Sequence, residues 1–259
     1  MDSGATHRQR EILDALRRSG GAMRVNAIAE ALNVTGETVR RNVRSLADGG
    51  LVEKTHGSVR LIGPEVETDF RHRFGENTEA KKRIATLVAA MIPDDASLFL
   101  DIGSTTAHIA DALCDHQRLL VVTNSVYVAY RLATRNHNRV FMAGGELRNH
   151  DGGAFGAEAI AFAENFSTQF AVLSAAGITA TKGFMLFDLE EARYSRCVMG
   201  HADRRIVAAD SSKFGREAPI VIGDPSEVDV LVTEVAPPAD IRAAALEWNI
   251  EICAGGNGT

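Results

Sequence analysis

Apolar positions along the chain fall into two regimes. Up to residue 48 they recur at helical spacing, and from residue 97 onward they gather in short unbroken runs. In the first regime Ile12, Leu13 and Leu16 share one face of a helix expected over residues 6–18, which Ser19-Gly20-Gly21 ends. A short helix over 26–32 would bury Ile28, Ala29 and Leu32, with Asn33-Val34 as the turn after it. A third helix is expected over 36–48, where Val39, Val43 and Leu46 stand at i, i+4 and i+7. Thr35 occupies its N-cap, and Glu37 lies in the first turn, where the helix dipole favours a negative charge. Gly49-Gly50 stops this helix. Residues 51–54 and 58–61 then read as a hairpin around a His56-Gly57 turn.

The second regime opens with a helix over 77–92 whose Ala80, Ile84, Leu87, Val88 and Met91 point inward. Buried strands are expected at 97–100, 119–122, 140–143, 170–173, 205–208 and 228–232, separated by helix-like stretches. That rhythm implies an α/β fold with a largely parallel sheet. Gly63-Pro64-Glu65-Val66-Glu67 reads as part of a linker. The expected organisation is therefore a winged helix-turn-helix over 1–62, a linker over 63–76, a larger α/β domain over 77–253 and a flexible tail over 254–259.

Composition changes the picture in one respect. A hydrophobic share of 45% is ordinary for a globular chain, and no apolar run approaches the ~20 residues that cross a bilayer. Three widely spaced cysteines, Cys114, Cys197 and Cys253, suggest neither a disulfide framework nor a zinc knuckle. With no apolar leader, they point to the cytoplasm. The net charge of −6 argues against nucleic-acid binding until the chain is divided. Residues 1–60 hold 10 Lys and Arg against 7 Asp and Glu, and the remainder 18 against 27, so a head of +3 precedes a body of −9. A basic head on an acidic body is the asymmetry of a DNA reader joined to something else.

The third helix gives that head its chemistry. Glu37, Arg41 and Arg44 fall opposite the apolar stripe, flanked by Thr38 and Arg40, so one short helix offers water several groups able to bond bases or phosphates. Thr35 at its start, and Lys54 and His56 on the hairpin, complete the candidate DNA-binding set. A plain helical module with a solvated basic face would share the charge. It would not require the tight turn and the order of elements.

In the body, polar motifs stand directly after the strands, where parallel sheets bind ligands beside helix N-termini. Asp101-Ile102-Gly103-Ser104-Thr105-Thr106 follows the first strand, Thr123-Asn124-Ser125 the second, and Gly144-Gly145-Glu146-Leu147-Arg148 the third, with Asp151-Gly152-Gly153 close behind. Asp210-Ser211-Ser212-Lys213 follows a late strand and offers a cation. Each alone is compatible with a turn, Asp101 with a helix cap, and Lys213 with a solvated lysine. Four at successive strand ends argue for a pocket, and exposed amides at a helix start suit a phosphate.

These same stretches carry a family resemblance. Arg10-Glu11-Ile12-Leu13, Leu32-Asn33-Val34-Thr35, Thr38-Val39-Arg40-Arg41 and Gly50-Leu51-Val52-Glu53-Lys54-Thr55-His56-Gly57 resemble the head of the DeoR family of bacterial regulators. Asn42 stands where that family usually has Asp, and Ser58 where it usually has Gly. The strand-end motifs resemble the family's sensor domain, so the resemblance spans about residues 8–253. It implies a sensor similar in fold to ribose-5-phosphate isomerase and CoA-transferase-like proteins, with Gly103 to Thr106 and Lys213 holding a phosphate. One branch, responsive to glycerol 3-phosphate, is similar through residues 143–148 and 151–153, Phe187-Asp188, Ser212-Lys213-Phe214-Gly215-Arg216, Val228-Asp229, Thr233 and Pro237-Pro238. This implies glycerol 3-phosphate as effector.

The competing hypothesis is a sugar-phosphate isomerase with a DNA-binding head. Such chemistry needs a base and a group that stabilises an enediolate. In the isomerases that the sensor resembles, carboxylates after a central strand and a lysine do this. The corresponding Leu173-Ser174-Ala175-Ala176-Gly177-Ile178 has no carboxylate, and Ser195, followed by Arg196, replaces the lysine of the sensor family. Arginine is a poor proton shuttle. Gly177 and Glu191 remain candidate ligand contacts, although an exposed helix carboxylate is the simpler reading of Glu191. The eight histidines show no HExxH spacing, and no GxxxxGK[ST] is present, so neither a metal nor a nucleotide cofactor is expected. The combined expectation is a non-enzymatic, homo-oligomeric regulator, a repressor by the resemblance, that binds double-stranded operator DNA and a small phosphorylated sugar or polyol.

Overall fold

A computed structural model of the chain describes residues 6–18, 22–55, 57–61 and 70–256. It divides into two compact units, Met1–Asp69 and Phe70–Thr259. In the first, α1 (His7–Arg18) is followed by β1 (Ala22–Arg24), α2 (Val25–Ala31), α3 (Gly36–Asp48), β2 (Val52–Thr55) and β3 (Ser58–Leu61). Ile12, Leu13, Leu16, Ile28, Val39, Val43, Leu46, Val52 and Val59 form its core. The expected stripe of α3 is the buried one, whereas Ala29 and Leu32 are only partly buried against it. Asn33 makes the turn between α2 and α3 at φ 48°, a left-handed conformation that Asn tolerates. Thr35 caps α3, its Oγ1 accepting the Thr38 N–H at 3.3 Å. The hairpin has a third strand, because β3 pairs antiparallel with β1 as well as with β2. Three residues behind a glycine pair carry no readable alternation, which is why β1 was not expected.

The second unit runs α4 (Phe70–Gly75), α5 (Thr78–Met91), β4 (Ser97–Leu100), α6 (Ser104–Ala112), β5 (Leu120–Thr123), α7 (Val126–Leu132), β6 (Arg139–Met142) and α8 (Ala157–Ala163). It continues with β7 (Thr168–Ser174), β8 (Gly177–Thr179), β9 (Gly183–Leu186), α9 (Leu189–Gly200), β10 (Ala202–Ala208), β11 (Ile220–Val221), β12 (Val230–Thr233), α10 (Ala239–Glu247) and β13 (Glu251–Ala254). Seven strands form one parallel sheet in the order β13-β12-β10-β7-β4-β5-β6. Successive side chains alternate between two cores. Phe99, Val122, Ala171, Leu173, Val207 and Leu231 face one. Leu98, Leu100, Val121, Val172, Ile206 and Val230 face the other.

The chain leaves β4 toward β5 on one side and reaches β7 on the other. The β4–β7 junction is therefore where strand order reverses, the place at which open α/β sheets bind ligands. Three features depart from the sequence reading. Residues 70–75, inside the expected linker, form α4 in the larger unit. A small antiparallel sheet, β11-β9-β8, lies outside the main one. Ala254, where the tail was expected to begin, pairs with Thr233 as the end of a seventh strand, and Gly255 donates its N–H to the Thr233 carbonyl at 2.9 Å. Along α5, Ile84 and Val88 are buried as expected, Ala80, Leu87 and Met91 only partly, and Lys81 joins the buried side. Among the described residues no helix is long and apolar enough to cross a membrane.

Candidate functional site

On the first unit, α3 buries its stripe and leaves Glu37, Arg40, Arg41 and Arg44 exposed, with Thr38 half-buried and Thr35 exposed at the cap. Arg40 lies 3.4 Å from Glu37 across one turn. Arg40, Arg44, Lys54 and Ser58 line one groove between α3 and the hairpin, and Arg24, Asn26 and Arg40 line the adjoining one. Sequence reading missed Arg24, because only the pairing of β1 with β3 brings it to this groove. Val25 donates its N–H to the Gly57 carbonyl at 3.1 Å and ties the start of α2 to the hairpin turn. Asn42 turns back to the helix, donating to the Thr38 carbonyl at 2.8 Å. His56 lies outside the described residues.

On the second unit, the strand-end motifs converge on the C-terminal edge of the sheet. Asp101 is 5% exposed, and its Oδ2 accepts the Ser174 N–H at 3.1 Å. It fastens β4 to β7. Gly103 opens α6 without a side-chain cap, leaving that role in the first turn to whatever approaches it. A Cβ on Gly103 would stand 2.4 Å from Ser174 Oγ, so a larger residue there would have to displace the Ser174 side chain. Ser104, Thr105 and Thr106 are all buried, and Thr106 donates to the Gly103 carbonyl at 3.1 Å. After β5, Thr123 Oγ1 accepts the Ser125 N–H at 3.1 Å and Ser125 caps α7. Asn124 is fully buried.

The third motif forms a flap. Gly144, Gly145 and Glu146 are exposed, and Gly145 takes φ 120°, a turn requirement that explains the glycine. Ala154 donates its N–H to the Asn124 carbonyl at 2.9 Å, and Leu147 bridges Ala154. Arg148 pairs with Asp151 at 2.5 Å, Glu191 at 2.6 Å and Asp188 at 3.4 Å, and stacks 3.8 Å over the Phe155 ring. Glu191 is thus not the exposed carboxylate expected. Its side chain is 11% exposed and fastens the flap to α9. A Cβ on Gly177 would lie 2.2 Å from the Arg216 carbonyl oxygen, a close approach that accounts for that glycine by packing.

After β10, the turn Ser211–Lys213 carries the fourth motif. Asp210 Oδ1 accepts from Asn77 Nδ2 at 3.1 Å and from the Ser212 N–H at 3.1 Å, and Glu234 accepts the Ser211 N–H. Beside it stands a cation that sequence reading missed. Lys81 is 2% exposed and donates its Nζ to the Glu76 carbonyl at 2.8 Å and to the Arg73 carbonyl. Burial lowers its pKa to about 8 against the opposing pull of Asp210, and Lys213 adds a like charge in range. The signal available in the sequence was a lysine three positions before Ile84, on the apolar side of the helix, which a hydrophobicity pattern discards.

The same lysine holds α4, the first element after the linker. α4 lies on both helices that begin at the strand ends. Phe74 stacks on His108 of α6 with ring centroids 4.4 Å apart, and His108 donates its Nε2–H to the Phe74 carbonyl at 3.2 Å. Burial holds the His108 imidazole below its ordinary pKa. Phe70 and Phe74 lie 6.1 Å and 5.4 Å from Tyr127 of α7.

Comparison with known proteins decides what these two units are. The profile of the DeoR-like helix-turn-helix domain matches residues 8–65, and that of the DeoR C terminal sensor domain matches residues 76–235. The chain belongs to the DeoR family of transcription regulators. Its relatives include the HTH-type transcriptional repressor CsqR of Escherichia coli K12, 36% identical over 90% of this chain and 89% of that one. The glycerol-3-phosphate regulon repressor of the same organism is 33% identical over 95% and 98%. Among solved structures, ribose 5-phosphate isomerase A of Methanocaldococcus jannaschii overlaps 55% of this chain and 56% of that one, with a TM-score of 0.41 at 15% identity. The eIF2B beta of Chaetomium thermophilum overlaps 66% and 53%, with a TM-score of 0.47 at 13% identity. In this DeoR-family regulator the first unit is the DNA-binding domain and the second the sensor domain.

Proposed function

We infer that this regulator is a cytoplasmic repressor of a carbohydrate or polyol catabolic operon, released from operator DNA by a phosphorylated effector, with glycerol 3-phosphate the favoured candidate. The observation that carries the reading is the uncapped start of α6 at the strand-order reversal, with Lys213 after β10, two strands along the sheet, and Lys81 of α5 in its electrostatic range. Orphan amides, hydroxyls and two cations suit a phosphate. Arg40, Arg41, Arg44 and Lys54 would meet the duplex, Thr35, Glu37, Thr38 and His56 its base edges or flanking phosphates, and Arg24 a phosphate beside them. A homo-oligomer, dimer or tetramer, would place two heads on paired half-sites. The choice of glycerol 3-phosphate leans on the glycerol-3-phosphate regulon repressors among the relatives.

An isomerase activity has no support at the corresponding strand end. Ser174 ends β7 and Ala175 and Ala176 follow it, and Ser195, buried on α9, carries no carboxylate or amine. The reading is tested by thermal shift with glycerol 3-phosphate, fructose 1-phosphate, fructose 6-phosphate and ribose 5-phosphate. One of these is expected to raise the melting temperature and to weaken DNA binding without being consumed. Turnover of a sugar phosphate, or no shift with any of them, overturns it.

A further inference from the structure

Among the described residues of the sensor unit, two side chains have every polar atom buried with no hydrogen-bond partner. Tyr194 is on α9, 2% exposed, and among the described residues its hydroxyl meets no hydrogen-bond partner. Asn124 follows β5, is fully buried, and neither its amide nitrogen nor its amide oxygen is bonded. A buried hydroxyl or amide left unbonded is destabilising, whereas phenylalanine would fill the same volume without that penalty. A protein that keeps a phenol there has a use for its O–H.

The surroundings say what it could bind. Asp101, at the strand-order reversal, stands close enough to Tyr194 that its carboxylate, after burial, holds the phenol protonated well above its ordinary range. Phe155, the residue after the flap's Ala154, lies edge-on to the Tyr194 ring at 6.3 Å. Glu191, one turn earlier on α9, is occupied with Arg148. A phenol that stays protonated, an amide offering both a donor and an acceptor, and carboxylates nearby make a poor place for a phosphate and a good one for hydroxyl groups. Lys81 and Lys213 have the opposite preference. The polar groups are divided, with the cations beside the β10 end and the hydroxyl-bonding groups between α9 and the β5 strand end. The ion pairs of Arg148 with Asp151, Asp188 and Glu191 fasten to α9 the flap that brings Phe155 beside Tyr194.

Resting on the reading of this crevice as an effector site for a phosphorylated polyol, we propose that Tyr194 is a specificity-determining residue, whose hydroxyl bonds with Asn124 to the effector's hydroxyl groups and selects a polyol phosphate over its deoxy counterparts. A site built to bond a hydroxyl disfavours the analogue that lacks it, because the site's own polar groups are then left unpaired.

The experiment pairs one variant with three ligands. Full-length wild type and Tyr194→Phe are titrated calorimetrically with glycerol 3-phosphate, 3-hydroxypropyl phosphate and 1,2-propanediol 1-phosphate, and each protein is melted without ligand. The wild type is expected to favour glycerol 3-phosphate over at least one deoxy analogue by about tenfold, the worth of one hydrogen bond. The variant is expected to lose that preference by weakening toward glycerol 3-phosphate while its affinity for the disfavoured analogue holds, with its ligand-free melting temperature unchanged or raised. A variant that keeps the wild-type preference overturns the proposal. So does a ligand-free variant that melts several degrees lower, since the hydroxyl would then be bonded within the fold. Wild type that binds none of the three overturns both the proposal and the choice of glycerol 3-phosphate. A preference that survives in Tyr194→Phe leaves the effector reading standing and removes Tyr194 from it.

Discussion

Lys81 makes a prediction with a sign and a size. Its ammonium is buried and its pKa lowered from 10.5 to about 8. In the unfolded chain the same lysine keeps a proton up to its ordinary value. Between pH 8 and 10.5 the unfolded state therefore binds more protons than the folded one, and stability rises with pH across that window. Below pH 8 the full penalty of burying the charge is present. A shift of this size corresponds to about 3 kcal/mol between the two ends of the window. The perturbation is Lys81→Met, which shortens the side chain by one atom and removes the titration. The difference in unfolding free energy, wild type minus variant, is measured by urea unfolding from pH 7 to 10.5. Other groups that titrate in this range cancel in the difference. That difference is expected to rise by about 3 kcal/mol with increasing pH, equivalent to roughly 2–4 °C in melting temperature per kcal/mol for a unit of this size. An anion bound beside Lys81 favours the protonated form, so glycerol 3-phosphate is expected to move the rise to higher pH. A flat difference would refute the reasoning, because the ammonium would then be as well solvated as in the open chain.

Three further outcomes follow from the geometry. Arg41→Ala or Arg44→Ala is expected to weaken DNA binding about tenfold and, if the lost contact is to a phosphate, to lower the salt slope of binding by about one, measured by fluorescence anisotropy with effector affinity unchanged. Ser104→Ala combined with Lys213→Ala is expected to leave DNA binding intact and abolish release by effector, so a double variant that still lets go of DNA counts against phosphate binding there. Phe74→Leu loosens α4 from His108 and Tyr127. It is expected to bring the ratio of DNA affinities without and with effector toward one, while each ligand alone binds normally, and by reciprocity DNA should then stop weakening the effector.

What could be read from the sequence was what is local. The apolar stripe of α3 at Val39, Val43 and Leu46 is a statement about one helix, so it fixes which residues face water without knowledge of the rest. The strand-end motifs were readable for the same reason, since each follows directly on its own apolar run. Features built by distant partners were not. Arg148 meets Glu191 across 43 positions, and a helix carboxylate that looks solvated in sequence becomes a buried fastening. Arg24 reaches the groove beside α3 only through the pairing of β1 with β3. Lys81 and Tyr194 were passed over for opposite reasons. A lysine is scored as a surface residue and a tyrosine as core, while the function proposed for each depends on its polar tip inside the fold.

The central claim is that one chain couples a DNA reader to a phosphate-sensing crevice. The most direct test is selection from a random duplex library by the full-length protein, with and without glycerol 3-phosphate or another phosphorylated polyol. The account predicts enrichment of a site with two related halves and at least about tenfold weaker retention of that site when the effector is added, within the usual range of coupling between sites. Enrichment of no sequence, or retention that no phosphorylated carbohydrate alters, would contradict it.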